Sequence, residues 1–318
     1  MRPVGQGIGV LSVLFAALVW GTTGTAARLA PEVSPLAIGA AAMGLGGLLQ
    51  ALLAAPAIRA DLTKLSGMRG LWLWGALGVA IYPLAFYSGM HLAGVTIGTL
   101  VMAGSAPLCA ALIEWGASRR RPGARWWAAA TLSTLGLIAL TVARGEGAAL
   151  GAAPGLGICL ALLSGLTYAG YTFTARGMML KGAAPRAAMG ATFGLGGLLL
   201  LPVLVATGAP FLTSWGNFAI GAYMALVPMT LGYLAFGAGL SRVTASMATM
   251  LTLFEPVVAA LLALLLLGER LSPLGWAGVA FVGAGLVLVS LPVGVARRRA
   301  AAGGERAAGS GVSVKEAR

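Results

Sequence analysis

The chain has 318 residues, of which 59% are apolar and only 9% charged, and its mean hydropathy is +0.93. A water-soluble domain carries roughly 25% charged residues, so a soluble fold is excluded. The net charge of +13 would point to nucleic acid in a soluble chain. Here the basic residues fall in short connectors and in the tail, where they read as orientation signals, and no nucleic-acid partner is expected.

A bilayer core about 30 Å thick takes roughly 20 residues of helix to cross, and apolar runs of that length repeat along the whole sequence. They predict an all-α, polytopic membrane protein with ten spans: 8–30, 35–58, 70–91, 95–117, 124–143, 155–176, 186–206, 215–238, 244–267 and 273–294. Only Met1 to Gln6 precede the first run, which has full spanning length and so reads as a span, not a cleaved signal. The short connectors predict antiparallel neighbours. From Arg297 the sequence turns polar and rich in Gly and Ser, which predicts a disordered tail over 297–318.

Ten spans place both termini on one side of the membrane. That side would carry 18 of the 21 Lys and Arg residues, among them Arg59, Lys64, Arg69, Arg119, Arg120, Arg121, Arg176, Lys181 and Arg242. The other side would hold Arg28, Arg144 and Arg270 alone. This bias predicts cytoplasmic termini.

The sequence also resembles itself. Residues 35–49, PLAIGAAAMGLGGLL, match 185–199, PRAAMGATFGLGGLL, at nine of fifteen positions. The same offset of about 149 sets Gly9 on Gly157, Arg28 on Arg176, Leu84-Ala85-Phe86 on Leu234-Ala235-Phe236, and Pro107 on Pro256. Two copies follow, 1–147 and 148–296, each with five spans. An odd number of spans inserts the copies in opposite orientations, giving the inverted repeat of secondary transporters.

Four mid-span prolines occupy repeat-related helices: Pro83 and Pro228 in the third and eighth spans, Pro107 and Pro256 in the fourth and ninth. Proline frees a backbone carbonyl, which lipid tolerates only where a neighbour or a wet cavity satisfies it, so these helices are expected to line a cavity or to kink for packing. Pro202 has no counterpart and is assigned to packing. Glu255, beside Pro256 and eleven residues into its span, is the leading site residue. A carboxyl at that depth costs about 2.5–3.5 kcal/mol unless it meets a cavity or partner, or stays protonated. It would bind a substrate ammonium group or carry a coupling proton; the alternative is a neutral acid bridging helices. Glu114 is expected to snorkel and pair with Arg119 to Arg121 at a span end, and His91 to act as an interfacial polar group.

Seven tryptophans, Trp72, Trp74, Trp115, Trp126, Trp127, Trp215 and Trp276, sit at span ends as an interfacial belt requires. Trp20 lies near mid-span, on the repeat partner of Tyr168. With Tyr82, Tyr87, Tyr171, Tyr223 and Tyr233 it describes an amphipathic wall suited to a small solute with a flat or apolar part, although ordinary packing also explains each ring. The GLGG runs at 44–47 and 194–197 let helices approach closely. Ser272, together with Glu269, is expected to cap the tenth span, with Pro273 in its first turn. Cys109 and Cys159 lie inside apolar runs without metal-ligand spacing, and no disulfide, metal or cofactor is expected.

The stretch LFEPVVAALLALLLLGERLSPLGWAGVAFVGAGLVL at 253–288 resembles the signature of the drug/metabolite transporter superfamily and of its EamA-like ten-helix members, and Trp20-Gly21 resembles that family's opening helix. The resemblance implies a permease working by alternating access, with a central cavity between two five-helix halves. Family substrates include amino acids and related metabolites, exported in several members, as well as nucleobases and drugs. The Glu255-Pro256 pair is similar to that of amino-acid exporters of the threonine/homoserine type. The sequence departs from the pattern after the fourth span, where EWGASRRRPG replaces the expected Gly-Glu.

The reading is therefore a cell-membrane permease for a small organic solute, with amino acids or similar metabolites exported, and with drugs or nucleobase-like compounds as the alternative. Its candidate substrate-binding residues are Trp20, Tyr82, Tyr87, Tyr168, Tyr171, Tyr233 and Glu255, and its helix breaks Pro83, Pro107, Pro228 and Pro256. An intramembrane enzyme would want a nucleophile with a base, or a metal set, at membrane depth, and no span contains an Asp. A passive channel would suit rings of like residues, which are not found.

Overall fold

In a computed structural model the described residues are 3–119, 121–143, 151–267 and 271–291. Arg2, Arg120, Arg144, Gly268, Glu269, Arg270 and the 297–318 tail lie outside them. Every element among the described residues is helical, because lipid offers no partner for a backbone N–H or C=O and a helix satisfies both within itself.

Among the described residues ten helices are long and apolar enough to cross a bilayer: α1 Gly5–Arg28, α2 Pro35–Leu53, α3 Arg69–Ala93, α4 Val95–Ser118, α5 Ala124–Ala143, α6 Pro154–Leu180, α7 Pro185–Thr207, α8 Trp215–Leu240, α9 Ala245–Leu265 and α10 Pro273–Ser290. The Ser34, Ser214, Thr244 and Ser272 side chains cap four of these helices by accepting from the backbone N–H three residues on. Two boundaries depart from the sequence expectation. The second span stops at Leu53 because Pro56 has no N–H to continue it, and short helices at Ala55–Ala60 and Leu62–Gly67 follow instead. The sixth runs on to Leu180, so Arg176 lies inside the helix and is buried, not at its end.

The helix pairing has two-fold character. α6 packs on α3 as α1 packs on α8, α6 on α4 as α1 on α9, and α7 on α3 as α2 on α8. α2 meets α7, α4 meets α9 and α5 meets α10. Each such pair joins the same helix of the two copies, so all three lie on the pseudo-dyad. The chain is two inverted five-helix repeats, and the dyad is the seam between them.

Glycine makes that seam close enough to hold. Within lipid no hydrophobic effect draws helices together, so association rests on dispersion contacts at short backbone distances. A Cβ built on Gly197 of α7 would stand 2.6 Å from the Gly44 carbonyl oxygen of α2, and one on Gly47 would overlap the Phe193 carbonyl. At α5 and α10, a Cβ on Gly136 would stand 2.7 Å from the Gly278 oxygen, and one on Gly278 2.8 Å from the Gly136 oxygen. The two GLGG runs are therefore the two faces of one contact.

A hydrogen-bonded carboxyl links the copies outside the spans. Asp61, buried in the α2–α3 connector, accepts from Lys64 Nζ at 2.6 Å through Oδ1 and from the Ala184 backbone N–H at 2.6 Å through Oδ2, at the start of α7. The Ala184 N–H and then Lys64 hold its carboxyl below the usual carboxylate range.

Gly197→Ala is expected to destabilise the protein in detergent by about 1–3 kcal/mol, the usual cost of forcing a methyl into a packed interior. Gly104→Ala, where a Cβ meets nothing within 4 Å, should leave the unfolding midpoint unchanged or slightly raised. Equal midpoints for the two variants would show that the α2–α7 contact is not tight.

Candidate functional site

A cavity of about 70 Å³ sits between the copies. Its walls come from α1 (Trp20, Thr23), α2 (Met43), α3 (Tyr82, Pro83, Phe86, Tyr87), α4 (Thr99, Met102, Ala106), α6 (Tyr168), α8 (Met229, Tyr233) and α9 (Thr252, Glu255, Pro256). Ligand pockets usually measure about 300–1,000 Å³, so this is a narrowed conformation, and a solute of several heavy atoms needs the helices to part.

Irregular backbone surrounds the cavity. α9 is broken between its segments Ala245–Leu251 and Phe254–Leu267. Pro256 cannot donate to the Thr252 carbonyl, which is taken instead by the Glu255 N–H at 3.0 Å, three residues on. Glu255 thereby stands in the first turn of a new helix in mid-membrane. α1 breaks after Trp20, and Gly21 lies against α9, where a Cβ would stand 2.6 Å from Val258 Cβ and 3.0 Å from the Glu255 carbonyl oxygen. Wide π-type turns interrupt α2 at Ala41–Leu45 and α8 at Ala225–Gly232. The second contains Pro228. Such turns leave carbonyls that need partners: Trp20 Nε1 donates to the Pro228 oxygen at 2.9 Å, and Gln50 Nε2 to that of Met229 at 3.0 Å.

The Glu255 carboxyl is half-buried, faces the cavity, and makes no hydrogen bond or ion pair with the described residues. Among the described residues no Lys, Arg or His lines the cavity. Aromatic rings do: Trp20 lies 4.6 Å from Tyr233 and Tyr82 5.7 Å from Tyr168, centroid to centroid. Tyr168 donates to Thr252 Oγ1 at 3.2 Å. An ionised carboxyl among π-faces and hydroxyls makes a site of negative potential, suited to an ammonium group, and it can equally take up a proton.

The structure thus brings Trp20, Tyr82, Tyr87, Tyr168, Tyr233 and Glu255 around one space. Tyr171 is different. It is fully buried behind the wall, and its hydroxyl shares a 2.7 Å hydrogen bond with that of Tyr233, so it positions a lining residue and does not line the cavity itself. Pro83 and Pro256 line the cavity, whereas Pro107 and Pro228 are buried beside it. Tyr223 lies toward a span end, its hydroxyl 2.6 Å from Thr22 Oγ1. Sequence reasoning missed Phe86 and Thr252, although each was findable: Phe86 is four residues after Tyr82 and Thr252 three before Glu255, the spacings that share a helix face.

Glu114 does not pair with Arg119 or Arg121. Its Oε1 accepts from the Ala245 N–H at 2.7 Å and its Oε2 from Ser246 Oγ, so it caps α9 from α4. Arg121 instead lies 5.3 Å over the Trp115 ring. Arg176 Nη1 donates to the Leu240 carbonyl at 2.5 Å, at the end of α8.

Two inverted five-helix repeats closing on a mid-membrane cavity, with broken helices and one carboxyl at its wall, define a membrane carrier of the secondary-transporter class. The chain belongs to the EamA-like transporter family, whose family model matches residues 7–142 and 155–291, once in each repeat. It is 35% identical over 281 residues to the uncharacterized transporter YwfM of Bacillus subtilis (strain 168), covering 88% of this chain and 93% of that one. It is 26% identical over 303 residues to the uncharacterized inner membrane transporter YicL of Salmonella typhimurium (strain LT2), covering 92% and 98%. A crystal structure aligned at 20% identity, with a TM-score of 0.71 over 92% of this chain and 98% of its own, shares the fold.

Removing either partner of the Tyr171–Tyr233 pair strands a buried hydroxyl. Tyr171→Phe is expected to cost about 1–3 kcal/mol of stability, and the Tyr171→Phe/Tyr233→Phe double variant clearly less than the sum of the two single changes. Chemical unfolding of the three variants in detergent measures this; strict additivity would mean that the two hydroxyls do not depend on each other.

Proposed function

We propose that this protein is a cytoplasmic-membrane permease that exports an amino acid or related small metabolite by alternating access. The observation that carries the reading is Glu255: a carboxyl in mid-membrane, without a hydrogen-bond or ion-pair partner among the described residues, at the wall of an aromatic cavity between two inverted repeats. Burying such a group without a partner is costly, and a passing ammonium group or proton supplies that partner in turn.

In this mechanism the repeats, 1–147 and 148–296, rock about their glycine-packed seam and expose the cavity to one face at a time. The breaks in α1 and α9 and the wide turns in α2 and α8 absorb the motion, because their backbone is already free of a continuous hydrogen-bond ladder. Glu255 holds the solute's ammonium group or carries the coupling proton, Trp20, Tyr82, Tyr87, Tyr168 and Tyr233 receive its apolar part, and Tyr171 holds Tyr233. The density of rings supports a second reading, a flat drug or nucleobase-like solute. A thermal-shift screen of the purified protein against amino acids, nucleobases and cationic drugs separates the two, since a ligand that binds the folded state raises its apparent stability.

Glu255→Gln is expected to express normally and to lose counterflow of the screened ligand in liposomes by about a hundredfold, the equivalent of one charge-assisted contact of about 3 kcal/mol. Counterflow equal to that of the parent protein would remove the ammonium-binding role, and parental transport driven by a proton gradient as well would remove the proton-carrying one. Saturable exchange marks a carrier, and unsaturable flux would mark a channel.

The proposed orientation puts both termini and the 297–318 tail in the cytoplasm, on the strength of the basic residues at that face. Single cysteines added at either end of a cysteine-free variant should both resist an impermeant thiol reagent applied to intact cells. Labelling of one end alone would refute the ten-span topology.

A further inference from the structure

The first segment of α9 carries polar groups that the cavity alone does not explain. Ser246, Thr249 and Thr252 precede Glu255 at intervals of three, and all three hydroxyls are buried, at 7%, 1% and 7% exposure. The segment is enclosed by α1, α4, α6, α8 and α10, where apolar side chains would pack at lower cost.

The hydroxyls share one polarity. Thr249 Oγ1 donates to the Ala245 carbonyl at 3.1 Å, Thr252 Oγ1 to that of Thr249 at 2.8 Å, and Ser246 Oγ to the Glu114 carboxyl. With each hydrogen committed, each oxygen offers only lone pairs to anything beside it. Bonds of the i to i−3 kind, Leu253 N–H to Met250 O at 3.1 Å and Glu255 N–H to Thr252 O at 3.0 Å, tighten the helix and bring Thr252 under Glu255. Hydroxyls bonded to their own helix are cheap in lipid and by themselves signify nothing. This row differs because it runs between two carboxyls, Glu255 at the cavity and Glu114 at the α8–α9 end.

Glu114 also closes the row. It holds the first turn of α9 to α4 through Ala245 and Ser246, while Arg176 pins the end of α8 to α6 through Leu240. Together they fix both sides of the α8–α9 connector.

We propose that the Ser246–Thr249–Thr252 face of α9 is the half-path by which a positively charged species travels between Glu255 and the α8–α9 end of the molecule, and that Glu114 is the residue that shuts it. Release of α9 by Glu114 lets water enter along a lining of acceptor oxygens, which favours a cation over an anion. The proposal rests on reading the cavity as a transport site, and its test reads access instead of transport.

The test uses the full chain with Cys109→Ala, Cys159→Ala and Thr249→Cys, reconstituted in proteoliposomes. The Thr249→Cys thiol is probed from each face with impermeant methanethiosulfonates bearing either a trimethylammonium or a sulfonate group. From the face of the α8–α9 connector, Glu114→Ala is expected to raise labelling by the cationic reagent about tenfold, as loss of a latch shifts the closed population, with the anionic reagent lagging. Glu114→Asp should stay near the parent rate. Where Glu114→Ala does not yield folded protein, Ser246→Ala removes one of the two latch bonds and should give a smaller rise. Unchanged labelling in a folded Glu114→Ala or Ser246→Ala protein overturns the gate, and equal rates for the two reagents overturn the cationic path. The labelling reads access of water-borne reagents and not movement of a solute, so a failure of the Glu255 transport role and a failure of this path are told apart.

Discussion

The structure depends on how closely two backbones approach in a solvent that rewards no burial. In water an apolar helix face is driven against its neighbour; in hydrocarbon it is as content with lipid, and only dispersion at short range and a few hydrogen bonds choose protein over lipid. The α2–α7 and α5–α10 contacts, made through Gly44, Gly47, Gly197, Gly136 and Gly278, are where the repeats meet in that way. They also lie on the axis that relates the copies, so a rocking motion moves them least while the cavity walls move most.

Around the cavity the opposite condition holds. Trp20-Gly21, the wide turn around Pro228 and the Thr252–Pro256 break release carbonyls that elsewhere would be spent in the helix. Side chains take up part of that surplus, as Trp20 does for Pro228 and Gln50 for Met229. A rigid seam beside a soft centre is what a carrier requires, since its binding site must open to two faces in turn without unfolding the whole.

The spans and the repeat were readable from sequence because they rest on long-range regularities, apolar length and an offset of about 149, and the family because the stretch 253–288 is distinctive. Glu255 was readable for a similar reason, a carboxyl too deep for lipid. What escaped was direction. Glu114 looked like a surface residue because three arginines follow it nearby, but its carboxyl accepts from the Ala245 N–H and the Ser246 hydroxyl at the start of α9, partners invisible without the packing of α4 on α9. Arg176 was read as the last residue of the sixth span and counted with the basic face because a charge marks where hydropathy falls, whereas the helix continues by satisfying that charge on the Leu240 carbonyl. Tyr171 shares a helix face with Tyr168, and spacing alone does not tell which of two such rings reaches the cavity.

Duplication copied the scaffold without copying its charges. The position matching Glu255 in the first repeat is Ala106, which also borders the cavity, and the position matching Glu114 in the second is Ala263. A molecule that inverts by exchanging the postures of its halves would, if the halves were identical, present the same doorway to both compartments. Here the end of α4 carries the Glu114 carboxyl and the matching place in α9 a methyl group, while Glu255 and Ala106 border one shared cavity, so the two ends of the molecule are chemically unequal although their helices are alike.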